Sequence, residues 1–157
     1  MAALNPKQHL EAAIRSNQQR LINDLKAIPA EKQNECPGGC SRTALNIVAE
    51  CGMVNGFIAA YLRGESGPRP SPEERNAFLA SFDTEEKSVT YLQEQTDKLL
   101  EAIGALDESV LGDDDSNFFG RPMTKFAIAE LPAMHMSYHD GQLNYIHTLN
   151  NDSAVHW

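Results

Sequence analysis

The chain has 157 residues, of which 41% are hydrophobic and 22% charged, and its formal net charge is −9 at pH 7. This length fits a single domain spanning residues 1–157. A chain this acidic has no excess of basic residues to attract nucleic acid or an anionic membrane, so we expect neither as a partner. It has no apolar run near the roughly 18 residues of a membrane span, no signal-peptide pattern at its start and an odd number of cysteines. These features favour a cytoplasmic protein.

Helical periodicity extends through most of the sequence. Apolar residues recur at spacings near 3.6 and predict long helices over about 6–28, 42–63, 85–106 and 124–150, with a short helix over about 71–81. Four long helices predict an all-α four-helix bundle. About twenty residues connect the second long helix to the third, enough to carry the chain back along the bundle, so a plain up-down-up-down order is not required.

Two predicted helices contain polar residues on the face expected to point inward. In the second long helix this face comprises Ala44, Val48, Cys51, Asn55, Ile58 and Leu62, and in the last helix Leu131, His135, Tyr138, Gln142, Ile146 and Leu149. A buried Asn55 needs a hydrogen bond, which we expect from a histidine or from Gln142. Pro132 is expected to kink the last helix or split off its first turn, and 118–122 is expected to be a short extended piece.

The clearest chemical signal is the pair His135 and His139. A four-residue spacing places both imidazoles on one helix face, one turn apart, where they can share a divalent ion. The alternative is a pair of core or interface histidines bonded to side chains of other helices.

The run His135-x3-His139-Asp140-Gly141-Gln142-Leu143 resembles the last-helix motif of the DinB superfamily. The resemblance implies a bundle of up-down-down-up order, frequent homodimers, and a divalent ion such as zinc or nickel held by three histidines. Two of those histidines come from the last helix and one from the second long helix. Some members are thiol-dependent transferases or isomerases that use mycothiol or bacillithiol.

The second long helix of this chain contains no histidine, so the triad that the resemblance implies is incomplete. The family position falls on Asn46, Ile47 or Val48, none of which is a strong ligand for such ions. Glu50 is the helix's carboxylate and could complete a two-His-one-carboxylate site. A helical wheel places Glu50 opposite the inner face, so a surface or dimer-face carboxylate is the alternative. Cys51 could supply a thiolate or be a small buried core residue.

Further residues carry weaker signals. Cys36 and Cys40 flank a Pro-Gly-Gly loop and are either a redox-sensitive pair or two reduced loop cysteines. We expect surface or packing roles for the other histidines. Gly52 and Gly56 would allow close helix approach, within the bundle or across a dimer. The lone histidines are His9, His147 and His156.

Together these patterns and the resemblance predict a DinB-like homodimer that is a metal-dependent enzyme or a degenerate relative of one. If the chain is active, we expect thiol transfer or metal-assisted hydrolysis on a small-molecule substrate. His135, His139 and Glu50 are the predicted ligands of a zinc or nickel ion, and Tyr138 or Gln142 would orient the substrate. The alternative is a non-catalytic dimeric helical bundle that binds a small ligand or a protein partner. The sequence leaves open whether the chain is an enzyme.

Overall fold

The computed structural model describes residues 5–65, 67–115 and 118–156. Its four long helices confirm the predicted all-α bundle. The α-helices are α1 Pro6–Ala27, α2 Ala30–Gln33, α3 Ala44–Leu62, α4 Pro72–Ala80, α5 Glu85–Ala105 and α6 Lys125–Leu149.

Each of the four long helices begins at an Asn or Thr whose side chain accepts a hydrogen bond from a backbone N–H in the first turn. These caps satisfy one of the N–H groups that have no partner inside a helix. Ser71 and Glu74 form a reciprocal capping box at the start of α4. The four caps are Asn5, Thr43, Thr84 and Thr124.

Contacts between α1, α5 and α3 establish the direction in which these helices run. Lys7, near the start of α1, donates to the carbonyl of Gly104 near the end of α5, and Arg15 pairs with Asp97 at 3.8 Å. Later residues of α1 contact earlier residues of α5, so α1 and α5 are antiparallel.

Helix α3 is parallel to α5 and antiparallel to α6. Gly52 lies against Tyr91 and Gly56 against Gln95, so the numbers rise together. Against α6, Asn55 contacts Met136 while Glu50, earlier in α3, contacts His139. The directions of α1, α3, α5 and α6 are therefore up, down, down and up, as the resemblance implied.

The two glycines of α3 are used within the bundle. A Cβ on Gly52 would lie 2.8 Å from the Tyr91 ring and 3.1 Å from the Leu92 Cα. Close approach of α3 to α5 therefore requires a residue without a side chain at position 52. This pairing removes the glycines as support for a dimer, which stays a prediction.

Helix α3 is long and apolar enough to cross a membrane by length and composition, contrary to our statement that no such run exists. Half of that window is buried against the other helices. Its packing makes it the central helix of the bundle, and the core helix of a soluble bundle passes the same test. The cytoplasmic location stays a prediction.

Two details of the predicted elements differ from the structure. Helix α6 continues through Pro132, so the predicted split of its first turn is wrong, since a proline removes only one helix hydrogen bond and the rest of α6 is packed. The extended residues are Asp114–Asp115 (β1) and Met123–Thr124 (β2), which pair antiparallel. The segment Phe118–Gly120, expected to be extended, is a 3-10 turn.

The buried face of α6 is also rotated from the predicted one. Tyr138 is 66% exposed and Leu149 is 49% exposed, although both were expected to point inward. The polar residues His139, Asp140 and His147 are buried instead, because other parts of the chain supply partners for these polar side chains. The buried residues are Ile128, Ala129, Pro132, Ala133, Met136, His139, Asp140, Leu143, Ile146 and His147.

Candidate metal centre

The two histidines of the α6 motif lie together at the face that meets α3. Their Nε2 atoms are 3.1 Å apart, and their ring centroids are 4.4 Å apart. His139 is buried and His135 is partly buried. Two nitrogen ligands of one tetrahedral ion, each about 2.1 Å from it, lie about 3.4 Å apart. The pair is therefore close to the spacing that an ion requires.

Gln142 determines which nitrogen of His139 carries the proton. Its Oε1 lies 2.8 Å from His139 Nδ1, and an amide oxygen can only accept, so Nδ1 donates. In the neutral ring the lone pair is then on Nε2, the atom that faces His135. Metal-binding histidines are commonly oriented by a bond of this kind on their other nitrogen.

Glu50 turns toward the histidines rather than toward solvent. Its Oε2 lies 3.4 Å from His139 Nε2, and its side chain is only 13% exposed. Glu50 is therefore not an open-surface carboxylate, and its role as a ligand stays a prediction beside the dimer-face alternative. Glu50 also forms an ion pair with Arg42, a residue that the sequence did not single out. Arg42 precedes the Thr43 cap, outside any periodic pattern that could have indicated its role.

Cys51 is a second candidate for the third ligand. Its sulfur and one nitrogen each from His135 and His139 lie within 4.8 Å of one another. Cys51 is fully buried, and this burial raises the pKa of its thiol above the ordinary value. A thiol in such a site loses its proton only if a cation compensates the thiolate charge.

The positions where the resemblance places a third histidine contribute no ligand. Asn46 donates to the backbone carbonyl of Leu79 at 2.9 Å, which attaches α3 to α4. Ile47 and Val48 are buried in the apolar core. A third protein ligand must therefore come from the next turn, at Glu50 or Cys51.

Both imidazoles are neutral at pH 7. Burial, with smaller contributions from His139 and Arg42, lowers the pKa of His135 to about 4. Burial also lowers the pKa of His139, although the bond to Gln142 opposes this effect. Neutral rings are the form that binds metal. The Cys51 sulfur and a nitrogen of each imidazole lie within 4.8 Å of one another, and Glu50 Oε2 lies 3.4 Å from His139 Nε2. A divalent ion therefore fits the two histidines with Cys51 or Glu50 as the third donor.

A cavity of about 600 Å³ opens beside His135. Most of its lining is apolar, and two arginines, Arg69 and Arg75, contribute from the connection between α3 and α5. A second depression of about 580 Å³ lies on the far side of the site, where Arg42 and Gln142 contribute to its wall. The exposed Tyr138 lines neither cavity, so its predicted role in orienting a substrate has no support here.

Asn55 and the loop cysteines lie apart from this centre. Asn55 donates to Thr96 Oγ1 at 2.9 Å and contacts Met136 Sδ, rather than a histidine or Gln142 as expected.

Cys36 and Cys40 are free and exposed. The Ser41 hydroxyl, which bonds the Cys36 sulfur, lowers the pKa of that thiol.

No protein-family model matches the chain, and no curated protein is similar to it in sequence. Solved structures are similar in fold. A conserved protein from Enterococcus faecalis matches with a TM-score of 0.73 and 15% identity over 94% of this chain and 98% of that one. A variant of the mycothiol-dependent maleylpyruvate isomerase matches with a TM-score of 0.71 and 15% identity, over 88% of this chain and 61% of that longer one.

A third similar structure corrects our expectation about partners. The colibactin self-resistance protein ClbS, crystallised in complex with double-stranded DNA, matches with a TM-score of 0.68 and 18% identity over 93% of this chain and 98% of that one. Excluding nucleic acid on the basis of net charge was wrong, since a protein of this fold binds DNA. Net charge describes the whole chain and does not describe a local surface. These similarities confirm the fold that the resemblance implied: the chain has a DinB-like helical fold.

Proposed function

We propose that the chain is a metal-dependent enzyme of the DinB-like type, with His135 and His139 as two ligands of a divalent ion and Glu50 or Cys51 as the third. The observation that supports this proposal is the pair of Nε2 atoms, 3.1 Å apart, with the Cys51 sulfur within 4.8 Å of a nitrogen of each ring and Glu50 3.4 Å from His139. Gln142 favours the same arrangement because its bond leaves the His139 Nε2 lone pair free.

The reaction class follows from the ligand set and the fold. A zinc or nickel ion with three protein ligands retains an open position and lowers the pKa of a thiol or water bound there. Mycothiol is the thiol named for one of the similar structures, so thiol-dependent transfer or isomerisation is the first class to test. Metal-assisted hydrolysis is the second.

The cavity beside His135 is the proposed substrate site. Its apolar wall suits the body of a small molecule, and the guanidinium groups of Arg69 and Arg75 suit an anionic group on it. His135 forms part of that wall and would bring the ion to the substrate's reacting end. On the other side of the site, Gln142 orients His139 and Arg42 forms an ion pair with Glu50.

Metal content is the direct test. Protein purified without a polyhistidine tag, stripped with chelator and reloaded with zinc or nickel should bind the ion through His135 and His139. Replacing either with Ala should abolish binding at this site, whereas the exposed His9→Ala control should retain it. A chain that takes up neither ion at micromolar concentration would contradict the proposal and favour the non-catalytic bundle.

Two further variants identify the third ligand. Glu50→Gln keeps the shape of the side chain but removes its charge, and Cys51→Ser removes the soft sulfur donor. The variant that weakens zinc binding identifies the ligand. The loaded protein is then assayed for mycothiol-dependent isomerisation of maleylpyruvate and with a panel of thiols and ester substrates. Activity that survives loss of the ion would overturn the metal-dependent assignment.

A further inference from the structure

A second group of potential ligands lies at the other end of α6. It comprises His147, Asp152 and His156, which we call the C-terminal cluster. One ligand atom from each lies within 4.8 Å of the others. No periodic pattern connects these residues, because they are five and four positions apart across the end of a helix.

The backbone after α6 brings the three residues together. Asn151 adopts a left-handed conformation with φ of 62°, which asparagine tolerates better than most residues. The chain therefore reverses, and the Asp152 N–H donates to the His147 carbonyl at 2.9 Å. The Asp152 side chain then accepts from the Ala154 N–H through Oδ1, which leaves Oδ2 facing both histidines.

His147 is held in one tautomer by helix α1. Its Nε2 lies 2.9 Å from the backbone carbonyl of Asp24, which can only accept, so Nε2 carries a proton. In the neutral ring the lone pair is on Nδ1, 3.4 Å from Asp152 Oδ2, and the side chain is only 3% exposed. A ring bonded on its far nitrogen to a backbone carbonyl is the usual arrangement of a metal-binding histidine.

The distances and charges also suit an ion. Ligand atoms around a tetrahedral zinc ion lie about 3.4 Å apart, and the His147–Asp152 distance equals this value. His156 Nε2 is closer, at 2.7 Å from Asp152 Oδ2, but this side chain is 25% exposed and can withdraw slightly. The C-terminal end of a helix carries partial negative charge, which further favours a cation.

From these observations we propose that the C-terminal cluster binds a divalent transition-metal ion, with His147 Nδ1, Asp152 Oδ2 and His156 Nε2 as ligands. Zinc and nickel match this combination of imidazole and carboxylate donors. The site is separate from the centre at His135 and His139 and does not depend on it. The bound ion would fasten the segment after α6 to α1 through the bond from His147 to Asp24.

The test uses the full chain with the first centre removed. A His135→Ala/His139→Ala variant, stripped with chelator and titrated calorimetrically with zinc, should still bind one equivalent. Asp152→Asn or His156→Ala in that background should weaken binding at least 100-fold, whereas the exposed Asp113→Asn control should not change it. A folded double variant that binds no zinc at micromolar concentration would overturn the proposal.

Cobalt substitution provides a second readout that does not depend on the double variant folding. In the otherwise unaltered chain, removing the C-terminal cluster with Asp152→Asn should lower the cobalt stoichiometry by one equivalent. The lost visible bands should be those of a site with nitrogen and oxygen donors only. Unchanged stoichiometry would reject the C-terminal cluster as a site. If the His135 and His139 variants keep the equivalent bound at the C-terminal cluster but show no loss relative to the original chain, only the proposal for the first centre fails, so the two proposals fail separately.

Discussion

Gln142 Oε1 accepts a hydrogen bond from His139 Nδ1 at 2.8 Å, and this contact orients the imidazole that lies between His135 and Glu50. The two residues are one turn apart on α6. The Gln of the motif therefore acts on the proposed ion indirectly, by fixing which ring nitrogen remains free.

Replacing Gln142 with Leu should weaken zinc binding about 10- to 100-fold, the usual effect of removing such an orienting partner. Gln142→Glu should preserve or strengthen binding because a carboxylate also accepts from Nδ1–H and makes the ring more basic. Calorimetric titration of both variants would measure the effect. An equal loss of zinc affinity in the Gln142→Leu and Gln142→Glu variants would show that the shape of Gln142 matters rather than its hydrogen bond with His139.

Arg42 and the proposed ion compete for the Glu50 carboxylate. Arg42→Met should therefore raise zinc affinity about tenfold, since it frees the carboxylate and removes a positive charge near the ion. The gain should disappear when Glu50→Gln is added. If Arg42→Met and the double variant bind zinc equally, Glu50 is not a ligand and Cys51 becomes the favoured donor.

Alanine substitutions at three glycines should change the free energy of unfolding differently, because only Gly52 and Gly56 lie in the close contact of α3 with α5. Gly52→Ala should lower the free energy of unfolding by about 1–2 kcal/mol, because its Cβ would press on the Leu92 backbone more than the gain in helix propensity offsets. Gly56→Ala meets only the movable end of Gln95 and should have little effect. Gly104→Ala, in open space, should stabilise by about 0.5–1 kcal/mol. Urea denaturation of the three variants checks this order.

A buried pair of carboxyl groups joins α1 to α6 and predicts a pH-dependent stability. Burial, and a hydrogen bond with Asp24, raise the pKa of Asp140 to about 7 from an ordinary value of 3.8. Between these values the folded chain holds a proton that the unfolded chain releases, so the contribution of Asp140 to stability falls as pH rises through this window. It is fully present below about 4 and lost above about 7.

Asp140→Asn should therefore stabilise the metal-free chain at pH 8 by about 1–2 kcal/mol and have little effect at pH 4, since the amide resembles the protonated acid. Denaturation in chelator across this range would measure the difference from the original chain. Asp113→Asn, an exposed control, should show no such trend. A difference that shrinks as pH rises would contradict the prediction.

Local patterns were sufficient for the helices and for the histidine pair. The apolar spacing located the four long helices to within two residues at each end, and the α6 motif indicated both imidazoles. The orientation of Glu50 could not be obtained this way. A helical wheel assumes that each side chain points straight out from the helix axis. The Glu50 side chain instead bends toward His139 and Arg42, which lie outside α3.

The inner face of α6 was misjudged for a related reason. Apolarity suggested that Tyr138 and Leu149 point inward, but Asp140 and His147 are buried in their place. Both find partners on α1: His147 bonds the Asp24 carbonyl, and Asp140 lies against the Asp24 carboxyl group. Such pairings across more than a hundred residues leave no periodic signal in either helix.

The parallel arrangement of α3 and α5 has a consequence for how this protein can change over evolutionary time. Two parallel neighbours cannot be joined by a tight hairpin, so the chain needs a long return segment. That segment supplies Arg69, Pro70 and Arg75 to the cavity beside His135, while the ligand candidates lie on α3 and α6. If the cavity is the substrate site, as proposed, substitutions or insertions in the return segment alter which molecules fit it without altering the bundle or the proposed ligands. The topology that requires the long connection thus places the residues of the cavity wall and the proposed ligands on separate segments, which can change independently.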